Sequence, residues 1–360
     1  MTHPEESKLP LVGPANSITE TIAVIDKFAK GIALVVDEEC HLLGTVTDGD
    51  IRRAILAGID LSLPIRILLE RLSLRPSRDP IVAPVGSDRA ILLRLMKERE
   101  IRQLPLVDRE RRVVDLVTLD ELVPEPELPM QAVIMAGGFG ERLRPLTQDT
   151  PKPMLPVGNR PLMEHIIEQL KRAGIQKVNI STHYLSEKIT NHFGDGKDFG
   201  VALNYVEEDR PLGTAGALGL LESPAEPVLV INGDILTGVD FQAMHIFHRE
   251  HHADLTMAVR QYAMQVPFGV VKCEGVYVRE VDEKPQSKFF VNAGIYLLEP
   301  SVYRYISNGE RLDMTDLIAR LLSDGRLVVG FPIREYWLDV GQPEDYKQAQ
   351  QDIKEGLIAS

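Results

Sequence analysis

Residues 133–147 read Val-Ile-Met-Ala-Gly-Gly-Phe-Gly-Glu-Arg-Leu-Arg-Pro-Leu-Thr. A short apolar run, Ala132 to Met135, stops at Gly137, Gly138 and Gly140, and Arg142 and Arg144 follow at once. This pattern predicts a buried strand that delivers a side-chain-free loop to something anionic. Glycines let backbone N–H groups approach closely and permit positive φ. Nearby guanidinium groups suit phosphate oxygens. The spacing does not fit G-x-G-x-x-G, and no Lys-Ser or Lys-Thr follows to make a Walker loop. Taken alone, the glycines fit a tight strand-to-helix turn equally well. The next segment, Pro151-Lys152-Pro153-Met154-Leu155-Pro156-Val157, tips the balance. Its prolines forbid a helix there and predict a stiff extended segment that keeps Lys152 close to the loop.

Downstream, strands and helices alternate. Pro161 begins a helix in which Leu162, Ile166 and Leu170 share a face and Gly174 stops it. Gln176 to Ser181 is the next strand. Such alternation implies an α/β fold with a Rossmann-like, mostly parallel sheet covered on both faces. Ligands of these sheets sit at the carboxyl ends of the strands, where the glycine loop emerges. Two buried strands end in carboxylates, at Asp234 and at Asp339. A lone Asp in that position is usually a turn residue or a helix cap. Pro211 to Ala217 is a second glycine-rich turn, readable as a helix start capped by Thr214.

Upstream, Val123-Pro-Glu-Pro-Glu-Leu-Pro129 is a stiff polar connector. Before it lies an internal repeat. Leu34-Val35-Val36-Asp37 recurs as Pro105-Leu106-Val107-Asp108, and Thr47 recurs as Thr118, both at an offset of 71 residues. Each copy has a helical segment upstream, marked by Ile18, Ile22, Ile25 and Phe28 in the first and Ile91, Leu92, Leu95 and Met96 in the second. Each copy is too short to bury its own sheet well, so two packed copies are expected.

The chain has 360 residues, enough for two or three domains. Its net charge of −13 argues against non-specific nucleic-acid binding but leaves room for a locally basic pocket. No apolar stretch approaches the ~20 residues of a membrane span. The N-terminus lacks the basic-then-apolar pattern of a secretion signal. Cys40 and Cys273 have no metal-like partners in the sequence, so a reduced cytoplasm is expected. His245, His248 and His252 share one helical face, for which a solvated surface is the expectation rather than a metal site.

Gly137-Gly138-x-Gly140-x-Arg142-Leu143-x-Pro145-Leu146-Thr147, followed by Lys152-Pro153-Met154-Leu155-Pro156-Val157, resembles the signature of sugar-1-phosphate nucleotidyltransferases (NDP-sugar pyrophosphorylases). The resemblance runs from about Gln131 to near the C-terminus. It implies a nucleotidyltransferase domain over 131–360 that joins an NTP to a sugar 1-phosphate, for cell-surface glycan precursors. Arg142, Lys152, Asp234, Lys284 and Asp339 would then be catalytic, with Asp234 and Asp339 binding Mg²⁺. Met135, Ala136, Gly137, Gly138, Gly140, Arg142, Glu208, Gly213 and Thr214 would hold the nucleotide. Gly269, Glu283, Lys284 and Asn292 would hold the sugar phosphate.

The base is read from Glu208. Guanine offers two donors on one edge, which a carboxylate accepts together; uracil and thymine offer one donor between two carbonyls. GTP is therefore the expected donor. The alternatives are a uridylyl- or thymidylyltransferase acting on a hexose or hexosamine 1-phosphate, or a nucleotide sensor with a weak catalytic domain.

The N-terminal repeat resembles a tandem pair of CBS modules, with copies at about 11–68 and 75–123 of a unit spanning 1–123, and a linker at 124–130. Thr47-Asp48-Gly49-Asp50 looks like the ribose-binding T-x-x-D element of that family. The resemblance implies an adenosyl nucleotide held by Thr47 and Asp50 and homo-oligomers formed through the pairs. The second copy, Thr118-Leu119-Asp120-Glu121, carries Glu in the Asp position.

Overall fold

The computed structural model describes residues 9–72, 80–122 and 128–358, which fall into two compact units divided at Pro126 and Glu127. The start of the second repeat at about 75 and most of the proline-rich connector lie outside the described residues.

The N-terminal unit holds two three-stranded sheets of the same design. In the first, Leu11–Val12 runs parallel to Ile32–Val36, which forms a hairpin with Leu42–Thr47. In the second, Ala83–Pro84, Gln103–Val107 and Val113–Thr118 repeat that order. Even the register irregularity recurs, at Val35/Val36 and at Leu106/Val107. The hairpin turns are tied alike. Asp37 Oδ1 accepts from the His41 amide at 2.8 Å, and Asp108 Oδ1 from the Arg112 amide at 2.9 Å. The copies do pack together. Ile32, Leu34, Val36 and Leu42 of one share a core with Val113 and Leu116 of the other, and the Val113 amide donates to the Cys40 carbonyl at 2.9 Å.

The larger unit is built on a seven-stranded sheet. Its strands are β1 (Gln131–Met135), β2 (Lys177–Thr182), β3 (Ala202–Glu207), β4 (Val228–Asn232), β5 (Leu255–Gln265), β6 (Gln286–Leu298) and β7 (Val328–Ile333), arranged β3-β2-β1-β4-β6-β5-β7. All run the same way except β6, which is antiparallel to both its neighbours. Both faces are buried, as the run of apolar residues in β1 and β4 requires. Ala132, Ile134, Leu229 and Ile231 enter one core, and Val133, Val228 and Val230 the other.

The predicted helix forms as Leu162–Arg172, with Pro161 at its N-cap and Gly174 just past its end. The segment around Lys152 is not fully extended. One 3₁₀ turn, Lys152–Met154, forms there, with Pro151 as its cap. A proline at the start of a turn loses no hydrogen bond, because the first N–H groups have no internal partner. The helix Phe241–Glu250 does not present a solvated histidine face either. His248 is buried, with Nδ1 facing Thr256 Oγ1 at 2.7 Å and Nε2 facing Glu299 Oε1 at 3.1 Å. No described helix is long and apolar enough to cross a membrane.

Candidate active site

The loop after β1 and the turn after β4 emerge at the same edge of the sheet, because the two strands are parallel neighbours in register, Met135 beside Asn232. The Gly233 amide donates to the Met135 carbonyl at 2.8 Å. A Cβ on Gly233 would stand 2.8 Å from that oxygen, so only glycine lets the strands close up here.

Asp234 follows directly. Its partner carboxylate arrives by a second ladder. The strand Ile235–Thr237 pairs with Trp337–Asp339, which sets Ile235 opposite Asp339, and the Val340 amide donates to the Asp234 carbonyl at 3.0 Å. This ribbon brings together two acids separated by more than a hundred residues.

Lys152 is buried, and its ammonium donates to Asp234 Oδ2. Among the described residues, Asp234 Oδ1 is buried without a partner, as is Asn232 Oδ1. The Arg142 guanidinium lies beside Gly341, 3.6 Å from where a Cβ would stand, and Asp339 Oδ1 is 3.2 Å from the same point. The Asp339 side chain opens to solvent, yet its pKa is raised. The surrounding protein is the first cause and the Asp234 charge the second, with Lys152 and Arg142 opposing them. Four of the five predicted catalytic residues therefore meet at one place. Two facing carboxylates, one with an unanswered buried oxygen, suit a hard divalent cation whose remaining ligands are phosphate oxygens and water. Among the described residues, no group of three or more His, Cys, Asp and Glu is placed to hold a metal.

The glycine loop is braced from behind. Gly140 takes φ 64°, and Thr147 Oγ1 donates to its carbonyl at 2.7 Å. Gly138 faces open space. Gly137 packs on Glu208, whose Oε1 would be 2.6 Å from a Cβ at that position. Glu208 is only 5% exposed. Ser181 Oγ donates to its Oε1, and the Leu212 amide donates to its Oε2 at 2.9 Å. Both oxygens are thus anchored, although a carboxylate has room for about four hydrogen bonds. Ser181 and His183, which bonds the Glu208 carbonyl through Nδ1 at 2.6 Å, escaped the sequence reading. Each sits at or just past the end of β2, an unremarkable place until its partner is known.

The second glycine turn differs from expectation. Gly213–Gly216 is one helical turn without a side-chain cap. Thr214 Oγ1 instead accepts from the Met314 amide at 2.9 Å, capping the neighbouring helix Met314–Ser323. Gly213 takes φ 80°, and a Cβ there would meet the Leu312 carbonyl at 2.6 Å. These two residues are committed to packing across about a hundred positions of chain, a role no local pattern announces.

On the sugar side, Gly269 and Glu283 are neighbours: Glu283 Oε2 would be 3.0 Å from a Cβ on Gly269. Lys284 takes φ 51°, and among the described residues its exposed ammonium has no partner. Asn292 Nδ2 donates to the Tyr296 hydroxyl at 2.7 Å, and its Oδ1 accepts from the Gly294 amide at 3.0 Å. Gly294 in turn lies against Asn232, two residues before Asp234. Asn292 is therefore tied to the carboxylate cluster, whereas no contact links Lys284 or Glu283 to it. A cavity of about 450 Å³, lined by Arg160, His165, Leu236, Phe241 and others, does not include Lys152, Asp234 or Asp339.

In the N-terminal unit, Thr47 and Asp50 form a capping box on the helix Asp48–Leu56. Asp50 Oδ2 accepts from the Thr47 amide at 3.0 Å and from its hydroxyl at 2.8 Å. Thr118 and Glu121 repeat the device, and Lys30 of the first copy pairs with Glu121 at 2.9 Å.

Residues 131–356 match the nucleotidyl transferase family, and residues 71–125 match the CBS domain family. Among curated relatives, a mannose-1-phosphate guanylyltransferase of Mycobacterium tuberculosis is 32% identical over 240 residues, 64% of this chain and 66% of the relative. A probable mannose-1-phosphate guanylyltransferase of Oryza sativa subsp. japonica is 38% identical over 229 residues, 60% of this chain and 63% of the relative. This chain therefore spans just under two thirds of the length of those relatives. A D-glycero-alpha-D-manno-heptose 1-phosphate guanylyltransferase of Aneurinibacillus thermoaerophilus is 33% identical over 228 residues, 62% of this chain and 99% of the relative. A solved structure of a putative glucose-1-phosphate thymidylyltransferase from Bacillus anthracis matches with a TM-score of 0.51 and 28% identity, covering 62% of this chain and 94% of that one.

Proposed function

The chain belongs to the nucleotidyl transferase family, and from that premise we propose that it transfers GMP from GTP to the phosphate of a sugar 1-phosphate. Pyrophosphate is the leaving group and a GDP-sugar the product. The observation that carries this reading is the ribbon that sets Asp234 beside Asp339, with Lys152 and Arg142 against them, at the end of the glycine-loop strand. The names of the relatives direct the search for the acceptor toward mannose 1-phosphate and a manno-heptose 1-phosphate.

A sugar-phosphate oxygen forms the new bond to the α-phosphorus while the bond to the bridging β-oxygen breaks, and pyrophosphate takes the electron pair. This chemistry needs in-line geometry and neutralised charge rather than a covalent intermediate. The loop amides at Gly137, Gly138 and Gly140, with Arg142, would hold the triphosphate. Lys152 would stand beside the transferred phosphoryl group, and Lys284 would hold the nucleophile's phosphate. Nucleotidyl transferases of this family use a divalent metal. Here it would be Mg²⁺, held by Asp234 and Asp339, and when bound it supplies charge neutralisation at the α-phosphate. The buried, unpartnered Asp234 Oδ1 supports that fit.

The guanine assignment rests on Glu208, whose carboxylate retains acceptor capacity beyond its two internal bonds. We extend the reading to regulation. An adenosyl nucleotide would bind at Thr47 and Asp50 rather than in the second copy, where Glu121 stands in the Asp position. The test is a matrix of GTP, ATP, UTP and dTTP against mannose, manno-heptose, glucose and glucosamine 1-phosphates, read by pyrophosphate release. Turnover with UTP or dTTP above that with GTP sinks the guanine assignment, and no turnover in any cell of the matrix sinks the enzyme reading.

A further inference from the structure

Ten of the twenty exposed large hydrophobic side chains among the described residues fall between Tyr262 and Phe290. They lie on one arm of the larger unit. The carboxyl half of β5 and the amino half of β6 run out past the sheet as a two-stranded ladder, with Tyr262 beside Phe289 and Gln261 beside Phe290. Between them a hairpin, Val270–Glu274 with Tyr277–Asp282, pairs with no other described strand. All six residues of its second strand are exposed. Val276 at the tip is 89% exposed, and Phe268 at the base is 72% exposed.

An isolated two-stranded hairpin is marginal in water. Five aromatic residues of the arm alone show on the order of 600 Å² at these exposures, taking ~200 Å² for each ring side chain. A typical monomer's largest apolar patch is about 300–600 Å², and a stable interface covers about 800 Å² per partner. The four valines and Met264 bring the arm to that size. We propose that a second copy of this chain covers it.

Charge supports that occupant. Over 262–290 the chain carries Lys272, Arg279, Lys284 and Lys288 against Glu274, Glu280, Asp282 and Glu283, a net charge of zero in a chain whose total is −13. Two acidic copies approach with least repulsion where each is neutral. A neutral patch offers no attraction to an anionic lipid surface or to a strongly charged protein. The free edge of Tyr277–Asp282 also suits its own mate. Two such strands related by a twofold axis would join the hairpins into one four-stranded antiparallel sheet. Gly269, Glu283 and Lys284 sit where the hairpin joins the arm, so pairing would also order the sugar-phosphate side of the site. That consequence rests on the proposed function; the pairing itself does not.

Sedimentation velocity and hydrogen exchange on the full chain test the pairing without substrate. Tyr277→Asp should halve the assembly mass, while Leu322→Asp, at an exposed leucine elsewhere on the larger unit, should leave it unchanged. In the unsubstituted protein the amides of 270–282 should exchange at least about tenfold faster on dilution to the monomer. An unchanged mass in the Tyr277→Asp protein overturns the proposal. So does equal protection of those amides at every concentration, which would place the chain's own N-terminal unit on the arm, and so does free exchange at every concentration.

Discussion

The Lys152 ammonium is bonded to one oxygen of Asp234, while the other oxygen of that carboxylate is buried with no partner among the described residues. A buried acceptor without a donor is costly, so the cluster is set up to receive a cation or a polar substrate. Asp234→Asn should lower kcat by on the order of 10²–10³, the range seen when one preorganised charge-stabilising group is removed. Circular dichroism should show an intact fold. Near wild-type turnover would remove Asp234 from the mechanism.

Asp339 supplies a prediction in pH. Its carboxyl is raised above 3.8, by its surroundings first and by Asp234 second. Between 3.8 and the raised value the folded chain holds more protons than the unfolded chain, so this group's contribution to stability falls as pH rises through that window. Asp339→Asn should therefore melt higher than the parent at pH 7 in chelator, and the gain should vanish below pH 3.8. Adding Mg²⁺ should stabilise the parent and not the variant. A variant that melts lower at pH 7 in chelator would contradict the sign.

The glycine loop tests close packing. On Gly137 a methyl group would stand 2.6 Å from Glu208 Oε1, itself pinned by Ser181. Gly137→Ala should destabilise by about 1–3 kcal/mol, as overpacking does, and raise KM for the nucleotide. Gly138→Ala, facing open space, should leave the melting temperature nearly unchanged. Equal melting temperatures for the two variants would show that Glu208 swings away freely.

How far the sequence could be read depended on the range of each contact. The β1 strand, its glycine loop and the repeat at an offset of 71 were legible because apolar runs and glycines act locally. Asp234 and Asp339 were each visible as strand ends, but their meeting depends on a ladder between Ile235 and Asp339 that neither segment announces. His248 looked like part of a solvated face because its partners, Thr256 and Glu299, lie beyond the helix. The local helix cap expected of Thr214 was misplaced for the same reason. The residues that need Gly213 and the Thr214 hydroxyl are Leu312 and Met314, about a hundred positions away.

That long-range cap separates the two readings of Thr214. A cap lost to an apolar isostere costs about 1 kcal/mol. Thr214→Val should therefore lower the melting temperature by about 2–4 °C in a unit of this size while leaving KM for the nucleotide unchanged. A raised KM with an unchanged melting temperature would return Thr214 to the nucleotide site.

The proposed base recognition rests on Glu208, and its anchors say how a substitution would act. The Leu212 amide can only donate, so it needs an oxygen; the Ser181 hydroxyl can donate or accept. In Glu208→Gln the amide should turn its oxygen toward Leu212 and its NH₂ toward Ser181 and Gly137. The edge beside the glycine loop then changes from acceptor to donor. Guanine, which presents two donors, would face a donor, and a pyrimidine carbonyl would face a complementary group. The ratio of kcat/KM for GTP over UTP should fall at least about tenfold, equivalent to ~1.4 kcal/mol of lost discrimination. Thermal stability should change little, because both internal bonds survive. An unchanged ratio in a stably folded Glu208→Gln protein would move base recognition to the backbone of the loop and leave Glu208 as its brace.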